Sequence, residues 1–320
     1  MELPGDRAAE HAPVAIVGAG SIGTGWAIVL ATAGRPVCLY DTEPRRLTDS
    51  LVEVRGRLED LESFGLLAEP PAAIHARVTA EPDLALAVAG ADHVQECVPE
   101  LLELKRDVFV ALDALAPPHC PIASSSSFLT ASLLAEELPG RARCLVVHPG
   151  NPPYLLRVAE VVPAPFTDPA ILAATERLLR AAGILPVRVA REVEGFVFNR
   201  LQGAVLREAY CLVRDGVASV ADIDRLVRDG LGLRWSVVGP FETVDLNSRG
   251  GIAAHATRMG PAYERMGAER GQHDPWTDEL VAQVTAARRA ELDLAEWGAR
   301  VAWRDRALMA LLQARAEPGA

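Results

Sequence analysis

Short apolar runs alternate with longer amphipathic stretches over the first part of the chain, as far as Arg191. The longest amphipathic stretch, EPRRLTDSLVEVRGRLEDLESFG, has the spacing of a surface helix. Strands that alternate with helices predict an α/β fold built on a Rossmann-type, doubly wound parallel sheet. An antiparallel direction is the alternative for the last strands of this sheet. The strand-like runs are VAIV, PVCLYD, the residues near Val78, ADHVQECVPE, PIASSSSF, RCLVVHP, RVAEVVP and LPVRVAR.

The pattern changes near Arg191, and from Gly195 onward it is helical almost throughout. We therefore predict two domains, an α/β domain over residues 1–192 and a mostly α-helical domain over residues 193–320. No long linker separates them, so we expect them to pack closely. The helical segments are GFVFNRLQGAVLREAYCLVRDG, SVADIDRLVRDGLG and DPWTDELVAQVTAARRAEL.

Composition narrows the class of protein. Half of the 320 residues are hydrophobic, and the net charge is -11, which argues against nucleic acid or an anionic membrane as a partner. No apolar run has the length of a membrane span, and the start, MELPGDRAAEHAP, is unlike a secretory signal. The five cysteines are scattered, without a CxxC or Cys/His cluster, so we expect no metal site, no disulfide framework and a cytoplasmic location.

A glycine motif follows the first predicted strand. Gly18, Gly20 and Gly23 form a G-x-G-x-x-G pattern between that strand and an apolar helix. Gly18 permits a tight turn, Gly20 lets the backbone approach a pyrophosphate, and Gly23 lets helix and strand pack closely. Asp41 ends the second strand, 23 positions after Gly18, where an acid can bind both ribose hydroxyls. The pattern predicts a dinucleotide site; a glycine-rich turn in another α/β protein is the alternative.

The same carboxylate favours one cofactor. Asp41 would repel a 2′-phosphate, so the sequence predicts NAD in preference to NADP. Arg45 and Arg46 follow closely and are able to accommodate a phosphate. We interpret them as solvated residues of the next helix.

The segment VVHPGNPPYLLRVAEVVP places two charged residues at the inner ends of two strand-like runs. If the runs pair as neighbouring antiparallel strands, Glu160 lies beside His148. A carboxylate on one ring nitrogen fixes the tautomer and raises the basicity of the other nitrogen. The pair is therefore a candidate for acid–base catalysis. A histidine that is only structural is the alternative.

Further polar residues fall at the predicted carboxyl ends of strands, where ligands of open α/β sheets collect. They are Glu96, Glu100, the serines from Ser124 to Ser127, and His148; Asn199 opens the helical domain. Their convergence predicts one pocket between the domains. Ser127 and Asn199 are neutral donors suited to polarising a carbonyl or hydroxyl; a strand-end turn and a helix cap are their structural alternatives.

Six stretches together resemble the L-3-hydroxyacyl-CoA dehydrogenase superfamily, and within it the L-gulonate 3-dehydrogenase/lambda-crystallin branch. The resemblance covers nearly the whole chain. It implies a Rossmann domain followed by a helical substrate and dimerisation domain, and hence a homodimer. The stretches are VGAGSIGTGWA, QECVPELLELK, ASSSSFL, HPGNPPYLLRVAEVVP, EGFVFNRLQ and DGLGLRWSVVGPFET.

The resemblance also implies roles for individual residues. The catalytic His–Glu pair of the superfamily falls on His148 and Glu160, its active-site serine on Ser127 and its asparagine on Asn199. The last two also bind substrate. The implied cofactor contacts are Gly18, Gly20, Ser21, Ile22, Gly23, Asp41, Glu100, Lys105 and Asn151.

Three departures from the CoA enzymes bear on the substrate. The region PRRLTDSLVEVRG offers less obvious basic surface for CoA, and GLGLRWS brings in Arg234. In the gulonate-type branch this arginine is placed to pair with a free carboxylate, and carnitine dehydrogenases carry a similar GLRW stretch. A surface or interdomain ion pair is the alternative role. Gly150 stands where relatives often carry a bulkier residue, which suggests a wider substrate slot.

The resemblance implies an NAD-dependent oxidoreductase that interconverts a 3-hydroxy acid and a 3-keto acid by hydride transfer. Its partner would be a small-molecule carboxylate substrate. Three alternatives remain: a ketoreductase for β-keto acids of polyketide assembly in actinobacterial metabolism, a 3-hydroxyacyl-CoA dehydrogenase, and a non-catalytic, crystallin-like nucleotide-binding protein.

Overall fold

A computed structural model describes residues 12–236, 239–246, 251–271 and 293–316, with the single residues 279, 282–283, 286 and 290. The chain forms two compact units. Unit 1 comprises residues 1–200 and 302–320, and unit 2 comprises residues 201–301. The predicted division into domains at residue 192 stays a prediction.

Unit 1 is built on an eight-stranded sheet with the order β3-β2-β1-β4-β5-β6-β7-β8. Neighbouring strands are parallel except β6 and β7, which are antiparallel. The order reverses beside β1, between β2 and β4, as in doubly wound sheets that bind nucleotides. The strands are β1 Val14–Val17, β2 Val37–Tyr40, β3 Val78–Ala80, β4 His93–Glu96, β5 Ile122–Ser124, β6 Cys144–Pro149, β7 Val158–Pro163 and β8 Leu185–Arg188.

Helices connect the parallel strands, since a parallel crossover needs a long connection. In unit 1 they are α1 Ser21–Thr32, α2 Pro44–Ser63, α3 Pro71–His75, α4 Leu84–Val88, α5 Leu102–Leu115, α6 Ala131–Ala135 and α7 Pro169–Ala181, with a 3₁₀ turn at Arg141–Arg143. The predicted Rossmann-type sheet is confirmed. The loop between β6 and β7 is too short for a crossover helix, and the chain therefore reverses there.

Alternation along β1 separates two apolar cores. Val14 and Ile16 pack into one cluster with Trp26 of α1, while Ala15 and Val17 pack into the other with Phe109 of α5. All six side chains are buried. The central strands are thus covered on both faces, which explains why they read as continuous apolar runs.

The predicted helical character after Gly195 is confirmed for the described residues. The helices are α8 Phe198–Arg214, α9 Val220–Arg225, a π-helix Leu226–Gly232, α10 Leu233–Trp235, α11 Pro240–Leu246, α12 Gly251–Arg270, a 3₁₀ turn Leu294–Glu296 and α13 Trp297–Ala316. Most of the predicted helix at 274–292 lies outside the described residues. From Ala302 onward α13 belongs to unit 1, where Met309 is buried in the core.

Candidate active site

A cavity of about 740 Å³ opens at the carboxyl ends of β1, β2 and β4. Eight of the residues predicted to bind cofactor or substrate line it. They are Gly18, Gly20, Ser21, Ile22, Asp41, Glu100, Lys105 and Ser127. The cavity lies where the strand order reverses, which is the expected place for a dinucleotide in this fold.

Each glycine of the motif is present for a different physical reason. Gly18 has φ +104°, and a Cβ there would lie 2.7 Å from the carbonyl carbon of Cys97. A Cβ at Gly23 would overlap the carbonyl oxygen of Gly18, so α1 can approach β1 only with glycine there. Gly20 lines the cavity, and a Cβ there would meet no atom within 4 Å. Packing among the described residues therefore does not require this glycine, and its backbone is left accessible to a pyrophosphate.

The residues around this loop fit a dinucleotide. Helix α1 begins at Ser21 without a side-chain cap, so its first N–H groups are available to phosphate oxygens. Asp41 Oδ2 accepts from the N–H of Ala19 at 2.9 Å, and Oδ1 accepts from the N–H of Glu43 at 3.0 Å. These bonds hold the carboxylate at the tip of β2, on the wall of the cavity.

The interpretation of both arginines as solvated residues is right for one and wrong for the other. The Arg45 side chain is 92% exposed. Arg46 lines the cavity and is tied down: Nε donates to the carbonyl oxygen of Ala19 at 2.8 Å, and the two terminal nitrogens contact Glu53 at 2.9 and 3.3 Å.

Lys105 is the centre of a buried ionic cluster. Its Nζ lies 2.8 Å and 3.0 Å from the two oxygens of Glu96, 3.1 Å from the carbonyl oxygen of Val98, and 3.5 Å from Glu100 Oε2. Burial raises the pKa of Glu96, although Lys105 and the Ser124 hydroxyl act in the opposite direction. Three protein partners thus surround the ammonium group, and its contact with a cofactor stays a prediction.

Glu100 organises the serine loop. Its Oε1 accepts from the Ser126 hydroxyl and from the N–H groups of Ser127 and Phe128, at 3.0 and 3.1 Å. Burial acts to raise the pKa of Glu100, but the bonds from Ser126 and the charge of Lys105 outweigh it and lower the pKa. The glutamate therefore remains ionised near neutral pH and fixes the backbone that presents Ser127.

His148 and Glu160 lie directly opposite each other in the antiparallel pair β6–β7. His148 Nδ1 is 2.8 Å from Glu160 Oε2, and Glu160 Oε1 accepts from the N–H groups of Val197 and Phe198 at 2.7 and 2.9 Å. Burial acts to raise the pKa of Glu160, but these hydrogen bonds, led by that of His148, outweigh it and lower the pKa. The carboxylate is thus ionised and both of its oxygens are held.

Aromatic rings enclose the imidazole. The ring centroids of Phe196 and Phe198 lie 5.8 and 6.1 Å from that of His148. Phe196 has φ 49°, a left-handed conformation that is uncommon for a non-glycine residue. This conformation follows Gly195, at φ 73°, and leads into the N–H groups that bind Glu160. The strained backbone therefore lies in the segment whose N–H groups bind Glu160, the hydrogen-bond partner of His148.

Ser127 and Asn199 are joined directly. Asn199 Nδ2 donates to the carbonyl oxygen of Ser127 at 3.0 Å. The side chain of Asn199 thus reaches the serine loop that lines the cavity, one residue after the N–H of Phe198 that binds Glu160.

Three other residues singled out in the sequence are not among those that line the cavity. Asn151 is exposed at the start of the loop after β6 and does not line the cavity. Arg234 is exposed on the short helix α10 of unit 2. The suggestion of a wider slot at Gly150 is wrong, because a Cβ there would lie 2.8 Å from Cβ of Leu156. Gly150 is required by close packing of the loop.

A polar network behind the cavity was missed. Gln95 Nε2 donates to Ser125 Oγ at 2.7 Å, the same hydroxyl accepts from the Trp26 indole at 3.2 Å, and His93 Nε2 lies 3.1 Å from Gln95 Oε1. Ser125 lines the cavity. Three polar residues in strand β4, HVQE, were the signal that could have revealed it, since a fully buried strand rarely carries so many.

Three negative findings concern the described residues. No group of three or more His, Cys, Asp and Glu side chains there is arranged to hold a metal ion. None of the described helices combines the length and the apolar composition needed to cross a bilayer. None of the five cysteines, which all lie in the described part of the chain, forms a disulfide.

Comparison with known families decides the assignment. Residues 13–193 match the family model described as 3-hydroxyacyl-CoA dehydrogenase, NAD binding domain, and residues 195–297 match the one described as its C-terminal domain. The chain belongs to the 3-hydroxyacyl-CoA dehydrogenase family. It is therefore an NAD-dependent oxidoreductase, as predicted.

Relatives of this family are similar over nearly the whole chain. A lambda-crystallin homolog from Bos taurus is 43% identical, covering 98% of each chain. An L-carnitine dehydrogenase from Streptomyces coelicolor is 37% identical, covering 96% of this chain and 95% of that protein. The predicted resemblance to the lambda-crystallin branch is confirmed.

A solved structure agrees with the fold. It is 5-formyl-3-hydroxy-2-methylpyridine 4-carboxylic acid 5-dehydrogenase, described as an NAD⁺-dependent dismutase. It superposes with a TM-score of 0.82 at 28% identity, covering 95% of this chain and 98% of that chain.

Proposed function

We propose that this dehydrogenase interconverts a free 3-hydroxy acid and the corresponding 3-keto acid, with His148 and Glu160 as the acid–base pair. The observation that carries the proposal is the 2.8 Å contact between His148 Nδ1 and Glu160 Oε2. Neighbouring backbone N–H groups hold the second carboxylate oxygen, so the pair has one orientation.

The direction of proton transfer follows from this contact. An ionised carboxylate only accepts hydrogen bonds, so Nδ1 of His148 carries the proton. In the neutral ring the lone pair then lies on Nε2, which has no hydrogen-bond partner among the described residues. Nε2 therefore takes the proton of the substrate hydroxyl, and Glu160 stabilises the imidazolium that forms.

Two neutral side chains, those of Ser127 and Asn199, orient the reacting oxygen of the substrate. Bound NAD⁺ supplies the acceptor for the hydride that leaves carbon 3 of the alcohol. The hydroxyl of Ser127 lies at the cavity wall, and Asn199 is fixed to the same loop through its Nδ2. Both donors hold the substrate oxygen while its charge changes, which is where oriented dipoles stabilise a transition state.

A free carboxylate is proposed because of Arg234. Four other arginines of unit 2 pair with acids, namely Arg214, Arg225, Arg228 and Arg270, whereas Arg207 and Arg265 have no ion pair among the described residues. Arg234 has no ion pair among the described residues, and its side chain is exposed. Its guanidinium is therefore available to an anionic group, which it can contact through two parallel hydrogen bonds.

The names of relatives support the same substrate class. Two related proteins are L-carnitine dehydrogenases, from Streptomyces coelicolor and Streptomyces griseus. Carnitine is itself a 3-hydroxy acid with a free carboxylate.

A matched substrate panel tests the proposal. We would measure kcat/KM with NAD(H) for gulonate, carnitine, 3-hydroxybutyrate, its methyl ester, acetoacetyl-CoA and an aromatic β-keto acid. We expect free acids to exceed the neutral ester, and Arg234→Met to raise KM for acids while leaving the ester unchanged. Preference for acetoacetyl-CoA would support a hydroxyacyl-CoA dehydrogenase. Equal effects of Arg234→Met on acid and ester would remove its proposed role.

We also propose that the protein is a homodimer and acts in the cytoplasm. Large apolar side chains are exposed on unit 2, among them Phe241 at 76%, Leu226 at 68% and Leu201 at 60%. Surfaces of this kind often mark protein–protein contacts. Sedimentation equilibrium tests the proposed homodimer, and a monomer at micromolar concentration would contradict it.

A further inference from the structure

Arg46 lies on the wall of the proposed cofactor cavity, which Asp41 also lines. Arg46, Asp41 and Glu43 all line the same cavity. Asp41 is expected to bind the adenosine ribose hydroxyls, so a 2′-phosphate on that ribose would enter the neighbourhood of Arg46. An arginine in this place is the usual partner of such a phosphate in enzymes that use NADP. The chain therefore carries a residue that its cofactor preference does not explain.

The guanidinium is already occupied by the protein. Its Nε donates to the carbonyl oxygen of Ala19 in the glycine loop at 2.8 Å. Its terminal nitrogens contact Glu53 Oε1 at 2.9 Å and Oε2 at 3.3 Å. All three guanidinium nitrogens are thus engaged, Nε by the loop and the two terminal nitrogens by a carboxylate that offsets the positive charge.

Glu53 is well placed to keep this arrangement. It lies seven residues after Arg46 on α2, on the same face two turns along the helix. The side chains of Arg46 and Glu53 are 29% and 34% exposed, so solvent screens the pair only in part. Arg57, four residues further, lies 3.9 Å from Glu53 Oε2 and places a second cation near this carboxylate.

We propose that Glu53 is a specificity-determining residue, which excludes NADP by holding Arg46 in a two-point ion pair. Asp41 repels the 2′-phosphate directly, and Glu53 withholds the cation that would otherwise bind it. Discrimination then has two separate parts, an opposing charge and a sequestered arginine. Removing Asp41 alone leaves the second part intact.

The test measures binding of NADPH and NADH by fluorescence titration, so it does not depend on the identity of the substrate. The proteins compared are Asp41→Ala, Asp41→Ala/Glu53→Gln, and the latter with Arg46→Met. We expect Asp41→Ala/Glu53→Gln to bind NADPH about 10-fold more tightly than Asp41→Ala, since a charge-assisted contact to phosphate becomes available. The gain should disappear when Arg46 is also replaced.

A matched control separates this mechanism from a general change of charge. Asp49 pairs with the exposed Arg45 at 3.9 Å on the same helix, so Asp41→Ala/Asp49→Asn removes one negative charge without releasing Arg46. It should leave NADPH affinity as in Asp41→Ala. Glu53→Gln in the wild-type background gives a second measurement, with a smaller gain in the same direction. The proposal is overturned if Glu53→Gln leaves NADPH affinity unchanged in both backgrounds, or if the gain persists without Arg46.

Discussion

Glu160 holds His148 through one carboxylate oxygen and the start of α8 through the other. The imidazole is therefore fixed to the same backbone that carries Asn199 toward the serine loop. Because strands β6 and β7 set the two residues opposite each other, the pair depends on strand register and not on a mobile loop. In the proposed mechanism, the acid–base pair is thus oriented before the substrate arrives.

Glu160→Gln tests this support. An amide leaves the imidazolium without a countercharge and permits the other tautomer of His148, so we expect kcat to fall by about 10²-fold or more. NADH affinity should stay within about threefold, because Glu160 does not line the cavity. Steady-state kinetics and fluorescence titration measure the two quantities. Glu176→Gln, which breaks a surface pair with Arg188, is the control and should leave kcat unchanged.

Gly20→Ala and Gly18→Ala should separate cofactor binding from folding. An added Cβ at Gly20 meets nothing in the chain, so stability should be unchanged while NADH affinity falls. Gly18 has φ +104° and little space beside Cys97, so its replacement should cost about 1–3 kcal/mol of unfolding free energy. Gly56→Ala, in helix α2, is the control and should be neutral or stabilising. Urea unfolding together with NADH titration measures both effects; equal loss of stability in both variants would contradict the prediction.

His93 should make stability depend on pH. Burial lowers its pKa from 6.5 to about 4, with a smaller contribution from Arg35 in the same direction. Between these values the unfolded chain binds a proton that folded His93 does not bind, so stability is full above pH 6.5 and is lost as pH falls toward 4. The loss amounts to about 3 kcal/mol. Urea unfolding at pH 7 and pH 5 should show a steeper decline for wild type than for His93→Gln. Parallel declines would show that another group is responsible.

Tyr154→Phe should weaken the attachment of the C-terminal helix. The Tyr154 hydroxyl accepts from Arg57 at 2.6 Å and donates to Asp305 of α13 at 3.0 Å. Without this hydroxyl, the buried carboxylate of Asp305 loses one hydrogen-bond donor, which lowers the free energy of unfolding by about 1–3 kcal/mol. Thermal unfolding and proteolysis of the C-terminal segment measure the effect. Tyr263→Phe, at a tyrosine that is 52% exposed, is the control and should change neither.

Features of the fold and the site that depend on local rules could be predicted from the sequence. The glycine loop follows from backbone sterics, and the facing of His148 and Glu160 follows from pairing two short strands across a loop. The positions of β1, β2, β6 and β7 were predicted from their apolar runs, because buried strands of this fold are largely continuous in hydrophobicity.

Other parts depend on contacts that no local pattern encodes. The pairing of Arg46 with Glu53 depends on which face of α2 meets the glycine loop, so exposure of the arginine was inferred wrongly. The burial of Lys105, whose side chain is only 1% exposed, depends on Glu96 and Glu100, which converge on it. The left-handed backbone of Phe196 is likewise imposed by tertiary contacts.

The most direct test of the account is a single-turnover measurement of hydride transfer by His148→Gln, followed through nicotinamide absorbance with the best acid of the substrate panel. Glutamine fills similar space but cannot take the proton, so we predict a rate lower by about 10²–10⁴-fold with NADH affinity retained. His119→Gln, at an exposed histidine, should match wild type. Hydride transfer by His148→Gln within a few-fold of wild type would contradict the assignment of His148 as the acid–base residue.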